Sequence, residues 1–307
     1  MAIDVSIMIE GQDGLSWPRW QRIARAAEDL GFAGLYRSDH FSNPEGPYKD
    51  AIETWVSLAW LASNTARISF GTMVSPVSFR NPSILAWQAA TIDALAGGRL
   101  RLGVGAGWQD REHNSFGFEL GDLDERFARF EDALQVLTRL TRSSEPSTYE
   151  GEYFQIRDAL IEVRSPRADG TPITIGGNGP KRTLPLVAKY ADEWNAVYPL
   201  LADYPALSAK LDSLLEDEGR PSTAVKRTAM SRLLVGRDEA DLVTRIDPDK
   251  LAQMKERDAP VGTPNEVVQK LGEYAEAGIE GVMLQLIDMD DITMLETFAA
   301  GVLPQLK

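Results

Sequence analysis

The sequence predicts an α/β protein built as a (β/α)8 TIM barrel with a small β-hairpin insertion. Strand-like and helix-like segments alternate with a regular beat along nearly the whole chain. A length of 307 residues suits one barrel of about 250 residues plus insertions better than two average domains. No repeat, low-complexity stretch or shift in composition marks a domain boundary, so a single closed parallel barrel over residues 1–307 is favoured over an open sheet.

Ile3 to Ile9 reads as a strand ending at Glu10-Gly11. Trp17 to Leu30 repeats apolar residues at helical spacing, with Trp20, Ile23, Ala27 and Leu30 on one face and Gly31 as its stop. Gly34 to Ser38 is the second strand, Ile52 to Ser63 a helix, Ile68 to Val74 the third strand, and Ser83 to Leu95 a helix closed by Gly97-Gly98. Trp60 and Trp87 fall on these helices and are expected in the core. Leu100 to Val104 is the fourth strand. A polar, aromatic-bearing loop is expected from Gly107 to Leu123, then a helix from Asp124 to Leu140 that starts with the acidic residues a helix N-terminus favours. Ser147 to Val163 breaks the beat. Its short Tyr, Phe and Ile runs about a Gly-Glu turn read as a β-hairpin inserted at about 145–165, and Pro166 to Gly170 returns the chain to the barrel.

Pro172 to Ile175 is apolar and β-branched, as a buried strand should be, and Gly176-Gly177-Asn178-Gly179 removes the Cβ from three of the next four positions. Pro180 suits the first position of a helix running to Tyr190, which places Lys181 and Arg182 in its first turn. There the helix dipole repels cations by roughly a few tenths of a kcal/mol, and a bound phosphate would reverse the sign. Strand, glycine loop, helix start and two cations together make a phosphate site on physical grounds. The alternative is a tight turn with two solvated basic residues. Beyond it lie strand Trp194 to Val197, helix Ala206 to Glu218, strand Thr228 to Val235, a charged region to Pro260, helix Pro264 to Ala277, strand Gly281 to Leu286 and a last helix from Asp291.

Composition narrows the function. Forty-six acidic residues against 32 basic ones leave a net charge of -14, which disfavours nucleic acid and anionic membrane as partners. Cysteine is absent, so thiolate catalysis, disulfides and zinc–thiolate sites are excluded, and nothing points to an oxidising compartment. The start lacks a basic region and cleavage signal, and no apolar run approaches the ~20 residues that span a bilayer, so a cytoplasmic location is expected. Two distant histidines without an H-x-x-x-H pair argue against a metal site. No G-x-S-x-G elbow is present for serine acyl transfer.

In a barrel of this kind the active site gathers at the C-terminal ends of the strands. Those positions hold Asp39-His40, Met73-Val74-Ser75, Gly105 to His113, Gly176 to Arg182, and Trp194-Asn195, and so include both histidines of the chain. His40 admits two readings, a helix-start cap with a packed ring or a ligand-facing proton carrier. His113 likewise reads as a loop residue bonded to backbone or as a catalytic group.

Taken together these residues resemble the bacterial-luciferase-like oxidoreductases, in the branch that uses the deazaflavin coenzyme F420. The resemblance runs through Leu35-Tyr36-Arg37-Ser38-Asp39-His40-Phe41, Gly71-Thr72-Met73-Val74-Ser75-Pro76, Phe79-Arg80-Asn81-Pro82, Gly98 to Trp108, Glu112-His113, Ile173 to Asn195 and Thr263 to Leu286. It implies a barrel with cofactor at its C-terminal mouth, a cis peptide at Met73–Val74 pressing on the back of the tricyclic ring, and a homodimer. It further implies Asp39 as a cofactor-contacting acid, His40 as the catalytic residue near the reactive ring carbon, and Gly177 to Gly179 as the phosphate contact. Gly107, Trp108, Gly176, Lys181 and Arg182 complete the expected cofactor set. Trp108 departs from the pattern, because the family's sugar-phosphate dehydrogenases resemble one another in having a catalytic Glu there. The proton carrier is then His40 or the substrate itself.

The expected activity is hydride transfer between coenzyme F420 and a small organic substrate, with an FMN-dependent monooxygenase and a non-enzymatic flavin- or deazaflavin-binding protein as alternatives. A non-enzymatic carrier would leave no open cavity opposite Met73–Val74. Arg37, Arg80 and Arg111 are candidates to meet the carboxylates of the deazaflavin tail, the alternative being that they pair with the surplus of Asp and Glu. Substrate choice is expected in the loops 43–49, 109–122 and 198–204, and a Trp- and Phe-bearing rim suits a hydrophobic or planar substrate.

Overall fold

A computed structural model describes residues 3–306. Eight strands form the barrel: β1 (Asp4–Ile9), β2 (Gly34–Arg37), β3 (Ser69–Thr72), β4 (Leu100–Gly105), β5 (Ile173–Gly176), β6 (Glu193–Val197), β7 (Lys226–Val235) and β8 (Gly281–Leu286). Each pairs in parallel with its sequence neighbour, and β8 returns to β1 with Gly281 opposite Asp4, so the sheet is closed. Two-residue strands at Ser75–Pro76 and Val261–Gly262 pair in parallel beside the C-terminal ends of β4 and β7.

Around the barrel lie α1 (Trp17–Asp29), α2 (Thr54–Asn64), α3 (Pro82–Leu95), α4 (Asp110–Phe116), α5 (Leu123–Arg142), α6 (Thr183–Tyr190), α7 (Tyr204–Asp217), α8 (Glu239–Arg245), α9 (Pro248–Glu256), α10 (Pro264–Glu276) and α11 (Ile292–Gly301). The expected hairpin forms between Ser147–Glu150 and Gln155–Ala159. Asp132 of α5 ties it down, accepting from the Tyr149 hydroxyl at 2.6 Å and the Tyr153 amide at 2.7 Å.

Four expectations need correction. The loop expected after Gly107 contains α4, whose Asp110 and Glu112 in the first turn and left-handed Gly117 at the stop are ordinary helix signals. The charged region before Pro260 folds into α8 and α9, each opened by an Asp that accepts from backbone amides. The helix expected from Pro180 starts at Thr183, since Leu184 reaches back to the Gly179 carbonyl and Arg182 keeps a non-helical backbone. Lys181 and Arg182 therefore precede the helix. Finally, Trp87 is 60% exposed and Trp60 only partly buried. Helix α3 carries apolar residues on two faces, and periodicity alone cannot tell which face meets the barrel.

The main core lies between the outer wall of the barrel and its helices, with Trp20, Phe32, Phe70, Phe130 and Trp194 wholly buried. Inside the barrel the side chains fall into layers. At the N-terminal end Glu193, Thr228 and Asn195 are joined by hydrogen bonds of 2.8 and 3.0 Å. Burial raises the Glu193 pKa, opposed by the Arg101 guanidinium 3.8 Å away. Above this polar base Met8, Met73, Met230 and Met283 pack with Tyr36, Val74 and Val197 into a thioether-rich floor. Everything above that floor belongs to the mouth.

Candidate active site

His40 follows β2 at the mouth and is the best-supported chemical group there. Its Nδ1 lies 2.8 Å from Glu112 Oε1, while Glu112 Oε2 accepts the Phe41 amide at 2.9 Å. Glu112 is fully buried, so both carboxylate oxygens are used and the ring is held in the tautomer that donates from Nδ1. Its Nε2 has no partner among the described residues. Burial lowers the His40 pKa, but the hydrogen bond and charge of Glu112, helped by Glu10 and Asp39, outweigh it and the net shift is upward. Trp108, 57% exposed, sets its indole edge-on to the imidazole with ring centres 5.6 Å apart.

Helix α4 is what holds this arrangement. Beyond Glu112, Gln109 donates to Ser42 O at 2.8 Å and Arg111 to Gly46 O at 2.8 Å, so the helix clasps the loop that follows His40. Phe41, Phe79, Phe116 and Phe118 stack around it with ring centres 4.7 to 5.6 Å apart. His113, on the same helix, has the opposite fate. It is buried, donates from Nδ1 to Gln109 O at 2.7 Å and accepts from Ser78 Oγ at Nε2, also at 2.7 Å, so it is a structural residue.

The Met73–Val74 bond is cis. Three glycines make room for the Val74 side chain. A Cβ on Gly103, Gly105 or Gly176 would lie 3.2, 2.7 or 3.6 Å from a Val74 methyl, so β4 and β5 form a seat for it. Asp39 anchors the same bulge from the other side. It accepts from Ser75 Oγ at 2.6 Å and from Arg80 at 2.7 and 3.0 Å, and Arg80 continues to Glu53 at 2.7 Å. Both Asp39 oxygens are thus taken up in fixing the bulge.

At the end of β5, Gly177 adopts φ +124° and receives the Trp194 indole N–H on its carbonyl at 2.8 Å. Asn178 clamps the end of β6, donating to Val197 O at 2.7 Å and accepting from its amide at 2.8 Å. Among the described residues the amides of Asn178, Gly179, Lys181, Arg182 and Thr183 find no acceptor. The glycine-opened turn and the first residue of α6 thus leave five backbone N–H donors unspent. Lys181 is exposed, whereas Arg182 is ion-paired with Asp124 and lies over the Phe127 ring. Gly107, at φ +85°, packs against Ser78 and receives Arg126 on its carbonyl at 3.2 Å.

The three arginines offered to a cofactor tail are all engaged. Arg37 is wholly buried, bonded to Ser57 Oγ at 2.7 Å and Ile52 O at 2.9 Å, and burial pushes its pKa down to about 10. Arg80 is held by Asp39 and Glu53, and Arg111 by loop carbonyls and the Tyr48 ring. In an acidic chain the pairing alternative prevails for Arg80, and for Arg37 desolvation is met by neutral acceptors.

Across the barrel from β3, the ends of β6, β7 and β8 line a cavity of about 960 Å3 with α8 and α9 as its outer wall. A polar chain ties this side to the His40 side. The Tyr198 hydroxyl donates to Gln285 at 2.6 Å, Gln285 to Glu10 at 2.9 Å, Gln12 to Glu10 at 2.9 Å, and Ser38 to Gln12 at 2.6 Å. Sequence reading passed over Glu10 and Gln285, the two residues that carry this polar chain, although each stands at a strand end. Glu112 was visible within a motif, but its bond to His40 spans 72 positions and has no local signal.

Comparison with known proteins agrees with this geometry. Residues 3–255 match the family model described as luciferase-like monooxygenase. The F420-dependent glucose-6-phosphate dehydrogenase of Kineococcus radiotolerans is 28% identical over 315 residues, covering 92% of this chain and 90% of that protein. The 4-hydroxyprotoasukamycin monooxygenase of Streptomyces nodosus subsp. asukaensis is 32% identical over 166 residues, 54% of this chain and 43% of its own. Among solved structures, an F420-dependent secondary alcohol dehydrogenase in complex with an F420-acetone adduct superposes with a TM-score of 0.84 at 19% identity, each chain fully covered. With the family model matching most of the chain, the protein belongs to the luciferase-like monooxygenase family.

Proposed function

We propose that the protein is an oxidoreductase that transfers a hydride between coenzyme F420 and a small organic substrate. The observation that carries the proposal is His40, fixed through Nδ1 by a buried carboxylate and without a partner at Nε2 among the described residues, on the same rim as five backbone amides that have no acceptor there. Near full-length similarity to an F420-dependent dehydrogenase supports the choice of cofactor. Asn178, Gly179 and the amides up to Thr183 hold the cofactor phosphate, Val74 on its glycine seat backs the ring, and Trp108 borders it. The bound deazaflavin supplies a carbon centre that accepts or donates the hydride. The protein's own part is the proton. Nε2 of His40 takes it from, or returns it to, the substrate as the hydride moves, and the Glu112 carboxylate stabilises the imidazolium that results. With Trp108 where the resemblance places the catalytic glutamate of the family's sugar-phosphate dehydrogenases, glucose 6-phosphate is not the proposed substrate. The cavity across the barrel leaves room for a second ligand, which favours an enzyme over a cofactor carrier.

Similarity to a monooxygenase over half of the chain favours one second reading, an FMN-dependent oxygenase. Titration of the purified protein with F420 and with FMN, followed by fluorescence, separates the two. Tighter binding of F420 and no oxygen uptake are expected; tighter binding of FMN with flavin-dependent oxygen consumption would overturn the proposal.

We further infer a homodimer formed through the outer face of α2 and α3. Val56, Ile84, Trp87 and Leu95 are each more than half exposed there, too large an apolar patch for a lone surface. Sedimentation should give a dimer for the wild type and a monomer for Trp87→Glu, and a monomeric wild type would refute it.

A further inference from the structure

The cavity beside β7 and β8 holds a charge arrangement that hydride transfer leaves unused. Its lining is apolar at Leu233, Ile246, Met254 and Ile287, while Arg232, Lys250 and Arg257 also line it. Among the described residues none of these three cations has a carboxylate partner. Arg245 in the same wall shows the usual outcome in this acidic chain, paired with Asp241 at 3.1 Å and also with Asp291. Of the two acids in the lining, Asp291 is ion-paired with Arg245, while Asp288 accepts the amide of Asp290 at 2.9 Å and makes no ion pair with Arg232, Lys250 or Arg257 among the described residues. Arg232 is moreover placed, its guanidinium carbon 5.9 Å over the Tyr198 ring, whose hydroxyl is fixed by Gln285.

We infer that this cavity binds an amphiphilic organic anion, with its apolar body on the aliphatic lining and its carboxylate or phosphate against Arg232, Lys250 and Arg257. The lining sets Arg232, Arg245, Lys250 and Arg257 against Asp288 and Asp291, so its balance is cationic and attracts an anion although the net charge of the chain is -14. Guanidinium groups also match the planar, two-oxygen geometry of a carboxylate. The anion is the acid group of a substrate or the glutamyl carboxylates of the cofactor tail. Only the second source rests on the F420 reading.

Calorimetric titration with octanoate, and with octanol as its uncharged match, tests the site without any turnover. Octanoate should bind the wild type at least tenfold more tightly than it binds the Arg232→Glu, Lys250→Glu, Arg257→Glu triple variant, while octanol affinity stays unchanged. The neutral triple variant to Gln should lie between, and unchanged melting temperatures establish that both fold. Parallel titrations with F420 and a tail-less deazaflavin identify the source. A preference for F420 that collapses in the triple variant assigns the anion to the tail, and a preference that survives assigns it to the substrate. Failure of both deazaflavins to bind would refute the cofactor assignment and leave the octanoate result readable. Absence of octanoate binding to the wild type, or equal octanoate affinity in the triple variant, overturns the inference.

Discussion

The two sides of the barrel mouth follow opposite plans. Along β2 to β5 the acidic and amide side chains are spent on other parts of the protein: Glu112 on His40 and Phe41, Asp39 on Ser75 and Arg80, Asn178 on Val197. Along β6 to β8 the wall is two short helices, and three of its cations have no acidic partner among the described residues. The first side can hold one geometry to within a fraction of an ångström, as a reacting centre requires. The second keeps its charges available for whatever enters. The histidines teach the same lesson at the scale of one residue, since His113 spends both ring nitrogens on the fold and His40 spends one.

Three perturbations of the ordered side gauge how far this division holds. Replacing His40 by Ala should lower turnover by about 10²-fold or more while F420 affinity stays near normal, the usual worth of a positioned acid or base. Intact turnover in steady-state assays would make His40 a packing residue and erase the contrast with His113.

Glu112→Gln should cost about tenfold or more in turnover, because its single amide oxygen can accept from the ring or from the Phe41 amide but not both, and it no longer stabilises the imidazolium. A pH profile gives the sign. Glu112 raises the His40 pKa in the folded protein above the ~6.5 of an unfolded chain, so the pair's stabilisation is present below that value and is lost as pH rises through the folded pKa. In the direction that needs His40 as base, the rate should rise through the same raised pKa. The Gln variant should move that midpoint to lower pH, and an unmoved midpoint would mean that another group titrates.

The smallest effect is expected at the glycine-opened turn before α6. With Arg182 already paired to Asp124 and the contact made by backbone amides, Lys181→Ala with Arg182→Ala should weaken F420 binding by roughly severalfold and flatten its salt dependence slightly. A loss of 100-fold in fluorescence titrations would assign the site to the cations instead, and β5 would then resemble β7 in its plan.

Much of the molecule was legible in the chain alone. Alternating periods of two and 3.6 residues, with glycine and proline punctuation, specify eight strands and most of their helices within a few residues, because those signals are local. The barrel rule then collects His40, Met73–Val74, Trp108 and Gly176–Gly179 at one end without any coordinates. The tertiary structure decided how each polar group is spent. Arg37 at the end of β2 and Arg232 near the end of β7 are the same residue in similar sequence settings, yet one is sealed against Ser57 and Ile52 and the other stands open over Tyr198. Which face of α3 meets the barrel, whether Arg182 points to a ligand or to Asp124, and that Glu112 reaches His40 are likewise settled by partners 20 to 72 positions away. Hydrogen bonds and desolvation depend on that surrounding packing, and no run of neighbouring residues encodes it.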